Sequence, residues 1–149
     1  MTTKTFNIRA YGLLISKKNE VLISREMVKG NLITKFPGGG LEFGEGLSEC
    51  LIREFKEELD VDIQIISHFY TTDFFVESIF NLNSQVIAVY YLVRTDDSIE
   101  NKHYSDLKRE LLDGEIHFNW IPLNNLNSNE FILPIDKHVV NLMKSNLIA

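Results

Sequence analysis

The sequence has a single cysteine, Cys50, in 149 residues. One thiol excludes an internal disulfide framework and a cysteine-rich zinc site. Basic residues are also short: 15 Lys and Arg face 21 Asp and Glu, a formal net charge of -6. That balance argues against a binder of nucleic acid or of an anionic membrane, which would carry a basic patch. No run approaches the roughly 20 apolar residues of a membrane span. The N-terminal stretch "MTTKTFNIRA" lacks the apolar segment of a signal peptide. Repeats, low-complexity tracts and linker-like segments are absent as well. The expectation is one soluble, cytoplasmic domain spanning residues 1–149. With 44% hydrophobic residues and 10 Phe, 5 Tyr and 1 Trp, the chain has material for a real core.

Segments 6–16 and 20–26 read as strands joined by a turn at "KKN", and 32–36 as a short strand ended by Pro37. Residues 61–75 and 85–95 are rich in β-branched and aromatic side chains and read as strands around a turn at 81–84. Segment 116–123 reads as a last strand. Helices are expected over 47–59 and 134–148, and a short helix or ordered loop over 105–112. Strands dominate without βαβ alternation. The fold class expected is therefore α+β, a mixed β-sheet flanked by helices.

The helix over 47–59 carries the most information. Its stretch "REFKEELD" (53–60) holds four carboxylates and two cations. At about 100° per residue, Glu54, Glu58 and Glu57 fall within roughly 100° of arc. Like charges three or four apart repel, so a charged, solvated helix face would normally mix signs. A bound divalent cation would relieve the repulsion, and carboxylate oxygens suit Mg²⁺ or Mn²⁺. Leu51, Ile52, Phe55 and Leu59 form an adjoining apolar stripe expected to pack on the sheet. Arg53 stands four residues from both Glu49 and Glu57 and is expected to bridge them.

Just upstream, "FPGGGLEFGEG" (36–46) places three glycines between a strand and this helix. Such a loop can present carbonyl oxygens to a metal or amides to a phosphate. A plain strand-to-helix connector is the simpler reading of a lone GGG. Glu45 closes the loop, and Gly46 with Glu49 is expected to make half a capping box.

Together these residues resemble the signature of the Nudix hydrolase family: Gly39, five residues, Glu45, seven residues, then Arg53-Glu54, Phe55, Glu57-Glu58 and Val61. A chance match to these spaced Gly, Arg and Glu positions is on the order of 10⁻⁵ at ordinary residue usage. One position departs: Asp60 stands where the family has a helix-ending glycine, and Asp tolerates the left-handed conformation required there. The resemblance implies an α/β/α sandwich and a divalent-metal-dependent hydrolase. Such enzymes cleave a phosphoanhydride in a nucleoside diphosphate linked to another moiety. Carried over position by position, it implies Glu57 and Glu58 as metal ligands, with the Gly39 carbonyl as a further one. Glu54 becomes a ligand or the base that activates water. Arg53 orients the glutamates, Gly38 and Gly40 lie by the substrate, and Glu45 supports helix and loop or binds a further metal through water. The implied cofactor is Mg²⁺ or Mn²⁺ and the implied partner a nucleotide-type small molecule; a homodimer is left open.

Many members add an acidic residue before the last strand. Glu110, Asp113 and Glu115 are the candidates, with Glu115 preferred as a catalytic residue. The loop 96–114 is expected to be a mobile lid. The substrate is less defined. Val76 stands where an ADP-ribose subgroup has proline, and Glu77 to Ile79 stand where a dinucleoside-polyphosphate subgroup has tyrosine. Phe69, Tyr70, Phe74 and Phe75 could stack on a base, but aromatic residues in β segments more often serve the core, and a core role is the expectation. A nucleoside triphosphate and a nucleotide sugar both stay open. Two other classes compete. A nucleotide-sensing module would carry a damaged box or an added DNA-binding domain. A diphosphate isomerase would need extra histidine ligands and a catalytic cysteine, a role Cys50 inside the helix fits poorly.

Overall fold

The computed structural model describes residues 3–99 and 111–147. Its elements in chain order are β1 (Thr5–Leu14), β2 (Glu20–Val28), β3 (Asn31–Lys35), β4 (Gly38–Gly40), α1 (Leu47–Leu59), β5 (Gln64–Thr71), β6 (Ser84–Arg94), β7 (Ile116–Pro122) and α2 (Pro134–Asn146). Two single-turn 3-10 helices, Leu123–Asn125 and Ser128–Glu130, were not expected. The predominance of strands with two helices fits the α+β expectation. Contacts divide the chain into two compact units that interleave in sequence. One is Met1–Leu13 with Gly38–Asp97; the other is Leu14–Pro37 with Ser98–Ala149. No helix among the described residues is long and apolar enough to cross a membrane.

The first unit holds a sheet of order β4-β1-β6-β5 and the helix α1. The three glycines read as a loop are in fact its edge strand, antiparallel to β1 with Arg9 opposite Gly40, Ala10 opposite Gly39 and Tyr11 opposite Gly38. The reason is steric. Gly38 has φ of +150°, and a β-carbon there would lie 2.1 Å from the Ala10 carbonyl oxygen and 2.8 Å from the Tyr11 Cα. Only glycine brings this strand so close to β1.

Helix α1 buries Cys50, Leu51, Phe55 and Leu59. The Phe55 ring fills the space where Gly12 has no side chain and lies beside Val93. Ile52, placed in the apolar stripe by its angle, is 40% exposed. The buried arc is centred nearer Leu51 than the apolar residues alone suggested, because Cys50 extends it past Glu54. That shift leaves Ile52 beyond its edge. The helix ends as expected: Asp60 is left-handed at φ 55°, ψ 43° and donates its N–H to the Lys56 carbonyl. Lys56 Nζ reaches forward to Asp60 Oδ1 at 3.1 Å. Strand β5 pairs antiparallel with β6 and stops at Thr71, short of the expected residue 75.

The second unit holds an antiparallel sheet of order β3-β2-β7 and the helix α2. Val21, Leu22, Ile23, Phe36, Phe118, Phe131, Val139, Val140 and Met143 are buried. Phe36 and Phe131 stack with centroids 5.2 Å apart. Pro134 opens α2, where its missing N–H costs no hydrogen bond.

Candidate functional site

In the first unit the acidic helix, the glycine strand and the loop between them converge on Arg53. Its Nε and one terminal nitrogen form a fork on Glu45, at 3.0 Å to Oε2 and 2.7 Å to Oε1. That same nitrogen donates to the Gly40 carbonyl at 3.1 Å. The other reaches Glu54 Oε1 at 3.0 Å and Glu57 Oε2 at 3.3 Å, with Glu42 at 3.7 Å. Bidentate guanidinium–carboxylate pairs fix orientation as well as charge. The expected bridge from Arg53 to Glu49 is not made. Glu49 instead accepts from the Gly46 N–H at 3.1 Å, the half capping box read from the sequence, and Glu45 takes its place. Glu45 also accepts from the Glu42 N–H at 2.9 Å.

These bonds set the titration of the cluster. Hydrogen bonding from Arg53, then from the Glu42 backbone, holds the Glu45 carboxyl down to about 2. Arg53 is raised, first by its bond to Glu45 and against its own desolvation, then by Glu54. Burial pushes the Cys50 thiol up to about 11, with the charge of Glu45 adding to it. The Cys50 sulfur sits 3.5 Å from the Gly40 carbonyl oxygen and 3.8 Å from that of Gly39.

Gly39 lies against the side chain of Glu54. A β-carbon on Gly39 would lie 2.4 Å from the Glu54 carboxylate, so the carboxylate rests directly on the strand backbone. Its side chain is only 14% exposed, against 59% for Glu57. Glu58 is half-buried on the same face of α1. Among the described residues no three Asp, Glu, His or Cys side chains converge as a cage for an ion, because Glu54 and Glu57 are turned onto Arg53. Glu54, Glu57 and Glu58 share one face of α1, but among the described residues they do not form a closed set of oxygens. The donor chemistry nevertheless fits a hard divalent cation, since all three groups are carboxylates, and the point where Glu45, Glu54 and Glu57 meet already holds a cation, the guanidinium of Arg53.

Glu115 belongs to the second unit. It precedes β7 and accepts from the Leu112 N–H at 2.8 Å, with His117 Nε2 4.0 Å away. Asp113 accepts from the Gly30 N–H at 3.2 Å. Glu110, residues 100–110 of the expected lid 96–114 and residues 105–110 of the expected helix or ordered loop at 105–112 lie outside the described residues. Of the aromatic candidates, Phe69 and Tyr70 are half-buried, and Tyr70 donates to Asp73 at 2.6 Å. Phe74 and Phe75 are exposed, against the expectation of a core role. Phe75 lines an open groove of about 260 Å³ with Lys4, Phe6, Glu77 and Leu82.

Sequence reasoning missed Arg9. This part-buried cation on β1 donates from Nε to the Tyr11 hydroxyl at 2.5 Å, with its Cζ 5.6 Å from the Tyr11 ring centroid. Burial alone would lower its pKa, but Tyr11 and Glu54 outweigh that and raise it. The available signal was a single charge in an otherwise apolar stretch of strand, "NIRAYGLL".

The sequence matches the NUDIX domain over residues 6–142. It is 34% identical over 62 residues to the 8-oxo-dGTP diphosphatase of Escherichia coli K12, a stretch covering 40% of this chain and 48% of that protein. It is 35% identical over 65 residues to the 8-oxo-dGTP diphosphatase of Proteus vulgaris, covering 42% and 57% respectively. The chain thus spans about half the length of these curated relatives. The MutT protein of Methanosarcina mazei Go1 superposes with a TM-score of 0.72 at 18% identity, over 100% of both chains. That likeness carries the mixed-sheet, two-helix architecture. With the signature residues held on one strand, loop and helix, and the match running through nearly the whole sequence, the chain belongs to the Nudix family.

Proposed function

We propose that this chain is a divalent-metal-dependent hydrolase. It cleaves a phosphoanhydride bond in a nucleoside diphosphate linked to another moiety, with a nucleoside triphosphate as the leading substrate class and a nucleotide sugar as the other. The observation that carries the reading is the clamp of Arg53 on Glu45, Glu54 and Glu57, with Glu54 braced on Gly39. A merely solvated helix face has no need of a part-buried fork to fix one carboxylate against a glycine strand. The names of the curated relatives support the triphosphate class.

Glu57, Glu58 and the Gly39 carbonyl would hold Mg²⁺ or Mn²⁺. Bound there, the ion supplies the charge that offsets the phosphates and the Lewis acidity that activates phosphorus and water. Glu54 is the base in this reading: it takes the proton of the water that attacks phosphorus, as the bond to the neighbouring phosphate breaks. Arg53 keeps the Glu54 carboxylate in place, and Glu45 keeps Arg53 in place. Gly40, on the edge strand, would let substrate approach the backbone without side-chain interference, while Gly38 would serve that subsite by holding the strand close to β1. Glu115 is the second candidate for the base. A cytoplasmic setting fits such a substrate.

The test is hydrolysis of a panel of nucleoside triphosphates and nucleotide sugars with Mg²⁺, by release of phosphate or pyrophosphate. Wild type should turn over at least one class. Glu57→Gln and Glu58→Gln should fold and lose activity by orders of magnitude. Turnover by the Gln variants at the wild-type rate, or no turnover of any substrate by wild type, would remove the proposal.

A further inference from the structure

The substrate class proposed above is polyanionic, and the box that would act on it is crowded with carboxylates: Glu42, Glu45, Glu54, Glu57 and Glu58. The nearby cations are mostly committed. Arg53 is bonded to three of these carboxylates and close to a fourth, and Lys56 is held by Asp60 and Asp62. Arg9 differs. It stands on β1 directly opposite Gly40 in the strand register. One of its terminal nitrogens lies 3.6 Å from the point where a Gly40 β-carbon would be. Gly40 is the same residue whose carbonyl accepts from Arg53.

A guanidinium carries five N–H donors in a fixed plane. The Nε of Arg9 is fixed by the Tyr11 hydroxyl, and the guanidinium lies near the face of that ring. Tyr11 is itself locked, 4% exposed and packed on Tyr90 at 5.2 Å between centroids. The guanidinium is thereby oriented, while its two terminal nitrogens form no ion pair or hydrogen bond with a described protein group. An oriented, part-buried guanidinium with unused donors beside a glycine backbone is matched to bidentate binding of a phosphoryl group.

We infer that Arg9 is a substrate-binding residue, whose terminal nitrogens take the non-bridging oxygens of a phosphoryl group of the substrate alongside Gly40. This rests on the proposed phosphoanhydride chemistry and adds to it a residue outside the box signature. The role is binding rather than bond breaking. Loss of Arg9 should therefore act on KM far more than on kcat, by about ten- to a hundredfold for a charge-assisted hydrogen-bond pair.

The test compares wild type, Arg9→Gln and Arg9→Lys in two assays. The first is binding, by calorimetry with Mg²⁺, of inorganic pyrophosphate and of the non-hydrolysable α,β-methylene analogue of dGTP. Arg9→Gln should weaken both probes tenfold or more, and Arg9→Lys should recover part of the loss, because it restores charge without the fork. The second is steady-state hydrolysis, in which Arg9→Gln should raise KM with kcat within about threefold of wild type. Three outcomes overturn the inference. They are unchanged binding of both probes in a folded Arg9→Gln protein, weakened binding of the nucleotide analogue but not of pyrophosphate, and no binding of either probe by wild type. A purely structural Arg9 would lower the melting temperature and leave the probe affinities of the folded protein alone. If binding responds as expected and no substrate is hydrolysed, the hydrolase proposal fails and the Arg9 assignment stands.

Discussion

Gly39→Ala is the sharpest separation of architecture from chemistry that the site offers. Its added methyl group would lie 2.4 Å from both Cδ and Oε1 of Glu54, against ordinary contact from about 3.4 Å. The deficit is about 1 Å. The strand cannot take it up, because β4 is pinned to β1 by the approach at Gly38, so the carboxylate must retreat. Its bond to Arg53, 3.0 Å long, then opens beyond hydrogen-bond range. Misplacing a reacting group by about 1 Å costs on the order of 10²-fold in rate. The stability cost is small by comparison. A charge-assisted bond contributes about 1.5–3 kcal/mol, and solvent around Glu57 and Arg53 reduces that. Gly39 does not have a left-handed φ, so alanine recovers about 0.4–1 kcal/mol through the unfolded chain. A net loss of about 1 kcal/mol shifts the melting temperature by about 2–4 °C. The assays are steady-state hydrolysis and thermal unfolding on the same preparation. A variant that keeps more than half of wild-type kcat would refute the requirement for Glu54 in this position. A fall of 10 °C or more would refute the claim that the strand stays put.

The remaining expectations concern the core, the charges and the metal. Ile52→Ala should cost less than about 1 kcal/mol in denaturant melts because Ile52 lies beyond the edge of the buried arc, whereas Phe55→Ala should cost about 3–5 kcal/mol; equal effects would contradict the placement of the buried arc of α1. The Glu45 carboxyl is depressed on folding, so its contribution to stability is present above pH 4.5 and lost as pH falls from there to about 2. Glu45→Gln should flatten the acid limb of the stability curve in that window, and an unchanged limb would dissociate Glu45 from Arg53. Saturating Mg²⁺ at about 100 times its dissociation constant should stabilise the protein by about 2.7 kcal/mol, and Glu57→Gln with Glu58→Gln should abolish the shift. Glu115→Gln should lower kcat more than it raises KM if Glu115 is the base, and an unchanged kcat leaves Glu54 alone in that role.

Most of the fold was legible because its elements are written in local pattern. Helix α1 starts and ends where its cap residue and its left-handed Asp60 place it, and the β5–β6 pair follows its β-branched runs. What escaped depended on partners distant in sequence. Three glycines carry no strand propensity, and β4 exists because β1 accepts a backbone without side chains. Helical angle alone misplaces Ile52 and the bridge from Arg53 to Glu49. The angle fixes a direction, while burial depends on which side chain, here Cys50, widens the packed face, and pairing depends on which donor is nearer, here the Gly46 N–H. The signature residues were readable by spacing. Arg9 was not, since nothing in its own strand says that Gly40 lies across from it.

Cys50 gives the box an internal clock. Its thiol is buried between the helix and the glycine strand and raised to about 11. At pH 8 only about one molecule in a thousand carries a thiolate while the sulfur is buried in this way. Alkylating reagents and peroxides therefore meet a reactive sulfur only when α1 lifts off β4. The rate at which iodoacetamide labels the native protein then measures how often the box opens, independently of turnover. Substrate and metal should slow that labelling together, and oxidants that disable exposed thiols should leave the closed site untouched.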